Sequence, residues 1–168
     1  EYEYATIQGN TIEIEADGVT VEGFVIDNEG GERAIGPGDS DGTTIRYNKI
    51  MNSKRAIQGD WHGRPTNLNV IGNRLMTEYG IAGTEDIQDL TIEDNTFQTS
   101  VEGIGLGDSV GFPQDKGIEY ILENNNFHSR EGDLLEYTVP MGDNLKIIWF
   151  DGKETNPKKQ IKISFVKG

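Results

Sequence analysis

The chain contains no cysteine. This excludes a disulfide scaffold and a thiolate metal centre, and it leaves the redox compartment open. With two histidines and three methionines, soft ligands are too scarce for a copper-delivery surface. No apolar run is long enough to cross a bilayer. Basic residues number 15 against 29 acidic ones, a formal net charge of -14. Such a surface lacks the cationic footprint that nucleic-acid backbones require, and it repels anionic membranes. Neither partner is expected. The acidic excess suits solubility, cation binding or a saline setting. No segment keeps a 3.6-residue apolar period, so helical repeats do not fit.

What the 168 residues do contain is 22 glycines and a repeated phrase. "VEGFVIDN" (21–28) is followed by "IRYNKIMN" (45–52), "VIGNRLMT" (70–77), "IEDNTFQT" (92–99) and "LENNNFHS" (122–129). Aligned on the fourth residue, the copies give Phe24, Asn48, Asn73, Asn95 and Asn125, spaced by 24, 25, 22 and 30. Three residues earlier stand Val21, Ile45, Val70, Ile92 and Leu122. Two later stand Ile26, Ile50, Leu75, Phe97 and Phe127, and four later Asn28, Asn52, Thr77, Thr99 and Ser129. A second apolar phrase follows each of the first four copies, centred on Ile35, Ile57, Ile81 and Ile104, with Leu134 as the expected continuation.

Runs of Val, Ile, Thr and Phe punctuated by Gly and Asn are strand chemistry. Ile45 and Ile50 are five residues apart, an odd number that places them on opposite faces of a straight strand. Both point inward only if the chain bends between them. Asn tolerates the left-handed conformation of such a bend, so each copy is expected to be strand, Asn bend, strand. A coil of this length closes one rung of a solenoid, rungs pair in parallel, and identical positions stack. The stacked Asn side chains are expected to form a hydrogen-bonded ladder.

On the residues 10–28, "NTIEIEADGVTVEGFVIDN", and the four Asn-bend copies after them, the chain resembles the right-handed parallel β-helix of the pectin-lyase-like superfamily. The resemblance covers about residues 7–135. It implies an all-β solenoid of about five to six rungs. Residues 1–135 are expected to hold the repeats. Residues 136–168, where "LLEYTVP", "LKIIWF" and "QIKISFVK" break the pattern, are expected to cap the open end with antiparallel strands. The abrupt start at Glu1, with no signal-like segment and an unpaired first edge, predicts further rungs or domains upstream.

Function is weakly specified by fold alone. The loops after the second apolar phrase concentrate Gly and acid. Asp39, Asp60, Glu85 and Asp108 fall three or four residues after the stacked Ile, so they are expected along one edge. Neighbouring carboxylates repel unless a cation lies between them, and calcium takes oxygen ligands of this kind. Many lyases of the resembled superfamily use calcium against acidic sugars. Asp and Gly are also the default residues of solvated turns. The stretch "DWHGRP" places Asp60, Trp61, His62 and Arg64 on one projecting loop. Trp61 can stack on a sugar ring, His62 can exchange protons near neutral pH, and Arg64 can neutralise a uronate carboxylate. Those are the requirements of β-elimination from a uronic acid. Arg33 and Arg55 precede Ala-Ile in successive rungs and can grip an anionic polymer or pair with acidic neighbours. The spaced aspartates of polygalacturonases and the Arg signatures of pectate lyases are absent.

Two readings follow. In one the chain is an extracellular, periplasmic or cell-surface domain that binds or processes an acidic polysaccharide, with Ca2+ as cofactor. In the other it is a non-catalytic structural or adhesin-like module.

Overall fold

A computed structural model describes residues 4–59, 65–82, 88–106, 118–127, 133–140, 145–149 and 162–166. The first strands are β1 (Ala5–Gln8), β2 (Ile12–Glu13), β3 (Thr20–Glu22), β4 (Phe24–Gly36), β5 (Thr44–Arg46) and β6 (Lys49–Gln58). Then come β7 (Thr66–Ile71), β8 (Arg74–Met76), β9 (Tyr79–Ala82), β10 (Gln88–Glu93), β11 (Thr96–Phe97) and β12 (Glu102–Leu106). The series ends with β13 (Ile118–Glu123), β14 (Asn126–Phe127), β15 (Asp133–Pro140), β16 (Leu145–Trp149) and β17 (Lys162–Val166). Among the described residues there is no helix.

The strands stack as a parallel β-solenoid of about four turns, slightly fewer than the five to six expected. One wall is a six-stranded sheet in the order β16-β13-β10-β7-β5-β3. The second sheet has eleven strands and folds into two limbs, because β4 and β6 run unbroken through the second bend. Backbone pairing continues past the last described turn. β15, β16 and β17 pair in parallel with β12, β13 and β15, not as the antiparallel strands expected of the tail.

The apolar columns face inward as expected. Val21, Ile45, Val70 and Ile92 form one, Ile26, Ile50, Leu75 and Phe97 a second, Ile35, Ile57, Ile81 and Ile104 a third. None of these side chains is more than 6% exposed. Burial of each is worth about 2 kcal/mol, and no single rung can bury its own. The third column passes to Leu135, one residue later than the expected Leu134.

The bends refine the expectation. The left-handed residue is not the asparagine but the one before it: Gly23, Tyr47, Gly72, Asp94 and Asn124, with φ between 52° and 75°. The asparagine side chains form the expected ladder. Asn48, Asn73, Asn95 and Asn125 lie buried in one ladder. Each Oδ1 accepts the backbone N–H of the preceding rung: Phe24 at 3.0 Å, Asn48 at 3.0 Å, Asn73 at 2.8 Å and Asn95 at 3.1 Å. Each Nδ2 donates to the carbonyl of Val21, Ile45, Val70 or Ile92 at 2.8–2.9 Å. Phe24 stands in the ladder column with no amide, so the ladder ends there.

A third corner was not read from the sequence. Gly18, Gly42, Asn67 and Asp89 are also left-handed, each five residues before Gly23, Tyr47, Gly72 or Asp94. Four of the six strands of the first wall, β3, β5, β7 and β10, thus have left-handed residues five apart at or near their ends. At the second bend the expected column shifts. The Ser53 hydroxyl donates to Arg55 O at 2.7 Å and the Thr77 hydroxyl to Tyr79 O at 2.6 Å. Arg55 and Tyr79 are register partners, so Thr77 is the counterpart of Ser53, and Asn52, at φ 54°, absorbs the extra residue.

Candidate functional site

Asp60, Trp61, His62, Arg64, Glu85 and Asp108 lie outside the described residues. The backbone does fix where their loops begin. The strands before them, β4, β6, β9 and β12, stack through Ile35, Ile57, Ile81 and Ile104, so all four loops leave the same side of the solenoid. Asp39 belongs to the first of these and is exposed, in the turn where Ser40 N–H donates to Pro37 O at 3.3 Å. Among the described residues no group of three His, Asp or Glu side chains could hold a metal ion.

Arg33 and Arg55 are brought together. They are register partners, and the column continues to Tyr79 and Glu102. Adjacent parallel strands are about 4.8 Å apart, so two guanidinium groups one rung apart would repel. Carboxylates from neighbouring positions offset this. Arg33 donates Nε at 3.1 Å and Nη2 at 2.7 Å to Glu13 Oε1. Arg55 Nη1 reaches Glu32 Oε2 at 3.0 Å, and Lys54 Nζ reaches the same oxygen at 3.2 Å. The Arg55 guanidinium carbon also lies 5.5 Å from the Tyr79 ring centroid, a cation–π distance. The Lys54 ammonium, and then the Arg55 guanidinium, hold the Glu32 carboxyl below its ordinary value. Arg33 and Arg55 therefore pair with acidic neighbours, one of the two arrangements open to them. Glu13, Glu32 and Tyr79 complete the patch and were not singled out in the sequence. Only Glu32, adjacent to Arg33, carried a local hint.

Beside this patch an open groove of about 410 Å3 follows the second bend, lined by Glu32, Asn52, Lys54, Thr77 and Glu78 among others. On the first wall Arg46 pairs with Glu22 at 2.8 Å and lies 5.9 Å from the Tyr47 ring centroid. Tyr47 is 52% exposed, so it offers an aromatic edge to solvent.

The third corner holds carboxylates that act on the backbone. Asp17 Oδ1 accepts Asp41 N–H at 2.8 Å. Asp41 Oδ1 accepts the Thr66 hydroxyl at 2.5 Å and Asn67 Nδ2 at 2.7 Å. The Thr66 hydroxyl first, then the Asn67 amide, hold the Asp41 carboxyl below its ordinary value of 3.8. A carboxyl with a depressed folded-state pKa stabilises above its unfolded value, and that contribution is lost as pH falls through the folded value. The melting temperature should therefore fall between about pH 5 and about pH 3. Asn67→Gly keeps the left-handed backbone, removes one donor, and should flatten that fall in a pH series of thermal melts. An unchanged slope would show that Asp41 does not contribute.

The fold and its surface define a parallel β-solenoid whose outer side carries stacked, ion-paired columns. No family model, curated protein or solved structure matches the chain.

Proposed function

We propose that the chain is an extracellular, periplasmic or cell-surface solenoid that binds an extended, uronate-containing polysaccharide along its side. The observation that carries this reading is the outward column Arg33–Arg55–Tyr79. A guanidinium, a second guanidinium and a phenol repeat at the rung spacing of about 4.8 Å, close to the length of one pyranose unit. Arg groups take carboxylates in bidentate fashion, and an aromatic ring offers a face to a sugar. Processing is assigned to Asp60, His62 and Arg64, with Trp61 as a stacking platform. Calcium held by Asp39, Asp60, Glu85 and Asp108 would bridge this acidic protein to an anionic chain. A second reading is a non-catalytic structural or adhesin-like module. It is favoured by the pairing of Arg33 with Glu13 and of Arg55 with Glu32, which gives each guanidinium an acidic partner within the chain.

One set of measurements separates them. Alginate, pectate and glycosaminoglycans are offered with calcium and with chelator, while unsaturated uronates and retained complex are followed. The polysaccharide reading expects retention that weakens about tenfold in Arg55→Ala. It further expects unsaturated product that His62→Ala and Arg64→Ala abolish without lowering the melting temperature. Chelator should lower that temperature if the ion binds only the folded chain. No retention of any polymer by folded protein would sink this reading in favour of the structural module.

A further inference from the structure

The corner before each ladder asparagine is a column of left-handed residues: Gly23, Tyr47, Gly72, Asp94 and Asn124. Glycine adopts that conformation freely, and Asn and Asp tolerate it. Tyr47, at φ 54°, is the bulky exception. A bulky side chain held there stores backbone strain, and strain of that kind collects at functional sites. Burial does not explain it, since Tyr47 is 52% exposed. The next rung makes room for the ring, because a Cβ on Gly72 would come within 2.6 Å of it. The ring therefore lies against bare backbone and stays open to solvent. On the first-wall side of the bend Arg46, paired with Glu22, lies 5.9 Å from the ring centroid.

Two cations stand on the other side of the bend. Lys49 lies two residues past Tyr47, and Arg74 is its register partner in the next rung. Ile50 and Leu75, the residues that follow them, are buried, so Lys49 and Arg74 face outward. Strand spacing sets their backbones about 4.8 Å apart. Arg33, Arg46, Lys54 and Arg55 each have a carboxylate partner. Among the described residues Lys49 and Arg74 have none. Arg74 Nε donates to the neutral Gln98 Oε1 at 2.9 Å. Asp27 is on the same face, in line with Met51, but its carboxylate accepts the Asn52 amide and the Glu29 N–H. In a chain of net charge -14, two adjacent cations without acids are out of pattern. They repel each other, and an anion from outside the chain relieves that repulsion.

We propose that Tyr47, Lys49 and Arg74 form a binding site for an acidic sugar. The sugar ring packs on Tyr47, and its anionic group, a carboxylate or a sulfate ester, lies between Lys49 and Arg74. The ligand class rests on the polysaccharide reading above. The site itself is new, across the second bend from Arg55, and it differs from that column in having cations without carboxylate partners.

The three side chains divide the work. A phenol ring offers an apolar face to the C–H edges of a pyranose and a hydroxyl to its oxygens. Arg takes a planar anionic group with paired N–H donors, and Lys adds a point charge. A nucleic-acid base also stacks on tyrosine, but every nucleotide brings a phosphate into the field of a chain with 29 acids and 15 bases. One acidic group per ring is the charge density that one aromatic and two cations match. The exposed Asp94, one rung beyond Gly72, repels anions and bounds the site on that side.

Calorimetric titration of the 168-residue chain tests this, with chelator present so that no calcium bridge contributes. The probes are oligogalacturonate, a sulfated galactan oligosaccharide and a neutral galactan oligosaccharide. At least one acidic sugar should bind, more weakly as salt is added, and the neutral one should not. Preference between the first two tells carboxylate from sulfate. Tyr47→Asn removes the ring and keeps a residue that tolerates the left-handed backbone. Lys49→Gln combined with Arg74→Gln removes the charges. Each change should weaken acidic-sugar binding about tenfold and leave the melting temperature unchanged. Arg55→Ala, titrated alongside, reports on the other column. If Arg55→Ala weakens binding and these variants do not, the polysaccharide reading stands and this site falls. If these variants weaken binding and Arg55→Ala does not, the site stands and the column falls. Folded wild type that binds neither acidic sugar removes both. Equal binding of the neutral sugar overturns the site, because the cations would then have no part in it. Should Tyr47→Asn lose stability, the charge variant decides, and unchanged binding in it overturns the proposal.

Discussion

Asn73→Ala is expected to cost about 3–5 kcal/mol of unfolding free energy in equilibrium urea denaturation, with the slope unchanged. Asn73 is 1% exposed and sits in the middle of the ladder. Its Oδ1 accepts the Asn48 N–H at 3.0 Å and Asn48 Nδ2 at 3.1 Å. Its Nδ2 donates to Ile45 O at 2.8 Å and to Asn95 Oδ1 at 3.0 Å. Alanine takes a partner from the Asn48 N–H, the Asn48 Nδ2, the Ile45 carbonyl and the Asn95 Oδ1, in a site that water does not reach; the Asn48 Nδ2 keeps Val21 O and the Asn95 Oδ1 keeps the Asn73 N–H. Each such group costs about 1–3 kcal/mol when unsatisfied, and local relaxation recovers part of the sum. Asn69→Ala is the control. Its amide serves only a local bond to Asn67 O at 3.0 Å, and the change should stay within about 1 kcal/mol. If the two variants lost equal stability, the ladder would be decoration on a solenoid held by its apolar columns alone.

Phe97→Ala should cost a similar amount, about 3–5 kcal/mol, for a different reason. Among the described residues Phe97 is the largest fully buried side chain, and the fold has made room for it. A Cβ on Gly80 would come within 2.6 Å of the Phe97 ring and 2.2 Å of Gly103 O. Glycine at position 80 is therefore a packing requirement, set by one aromatic ring and one backbone carbonyl. Gly80→Ala should destabilise the wild type by about 1–3 kcal/mol. It should cost less in a Phe97→Ala background, where half of the obstruction is gone, with a coupling of about 1 kcal/mol. The Gly103 carbonyl keeps the cycle from closing to zero. Strict additivity of the two changes would place the clash entirely on the backbone.

These two residues show what was legible in the chain. The Asn columns announce themselves by spacing, and stacking in parallel follows from the odd separation of the apolar residues around them. The location of the bend within each phrase was not legible. Tyr47, Asp94 and Asn124 hold the left-handed conformation, and tyrosine is a poor signal for it. The first-wall corner at Gly18, Gly42, Asn67 and Asp89 did leave a signal, a Gly, Asn or Asp six residues before Phe24, Asn48, Asn73 and Asn95. It was masked by the general abundance of those residue types in loops. The partners of Arg33 and Arg55 were illegible for a stronger reason. Glu13 is 20 residues from Arg33 and Glu32 is 23 from Arg55, and nothing local says that one rung of pairing separates each pair.

The amino-acid sequence by itself determined the repeat length, the apolar columns and the presence of strands. All three depend on periodicity, and periodicity is written along the chain. Only the tertiary structure decided what the polar residues do. Register between rungs turns a separation of more than twenty residues into one strand spacing, and the chemistry of the surface is set at that distance. Asparagines expected to make both the bend and a ladder kept the ladder and left the bend to the residue before them. Arginines that could have faced a polymer unaided met carboxylates.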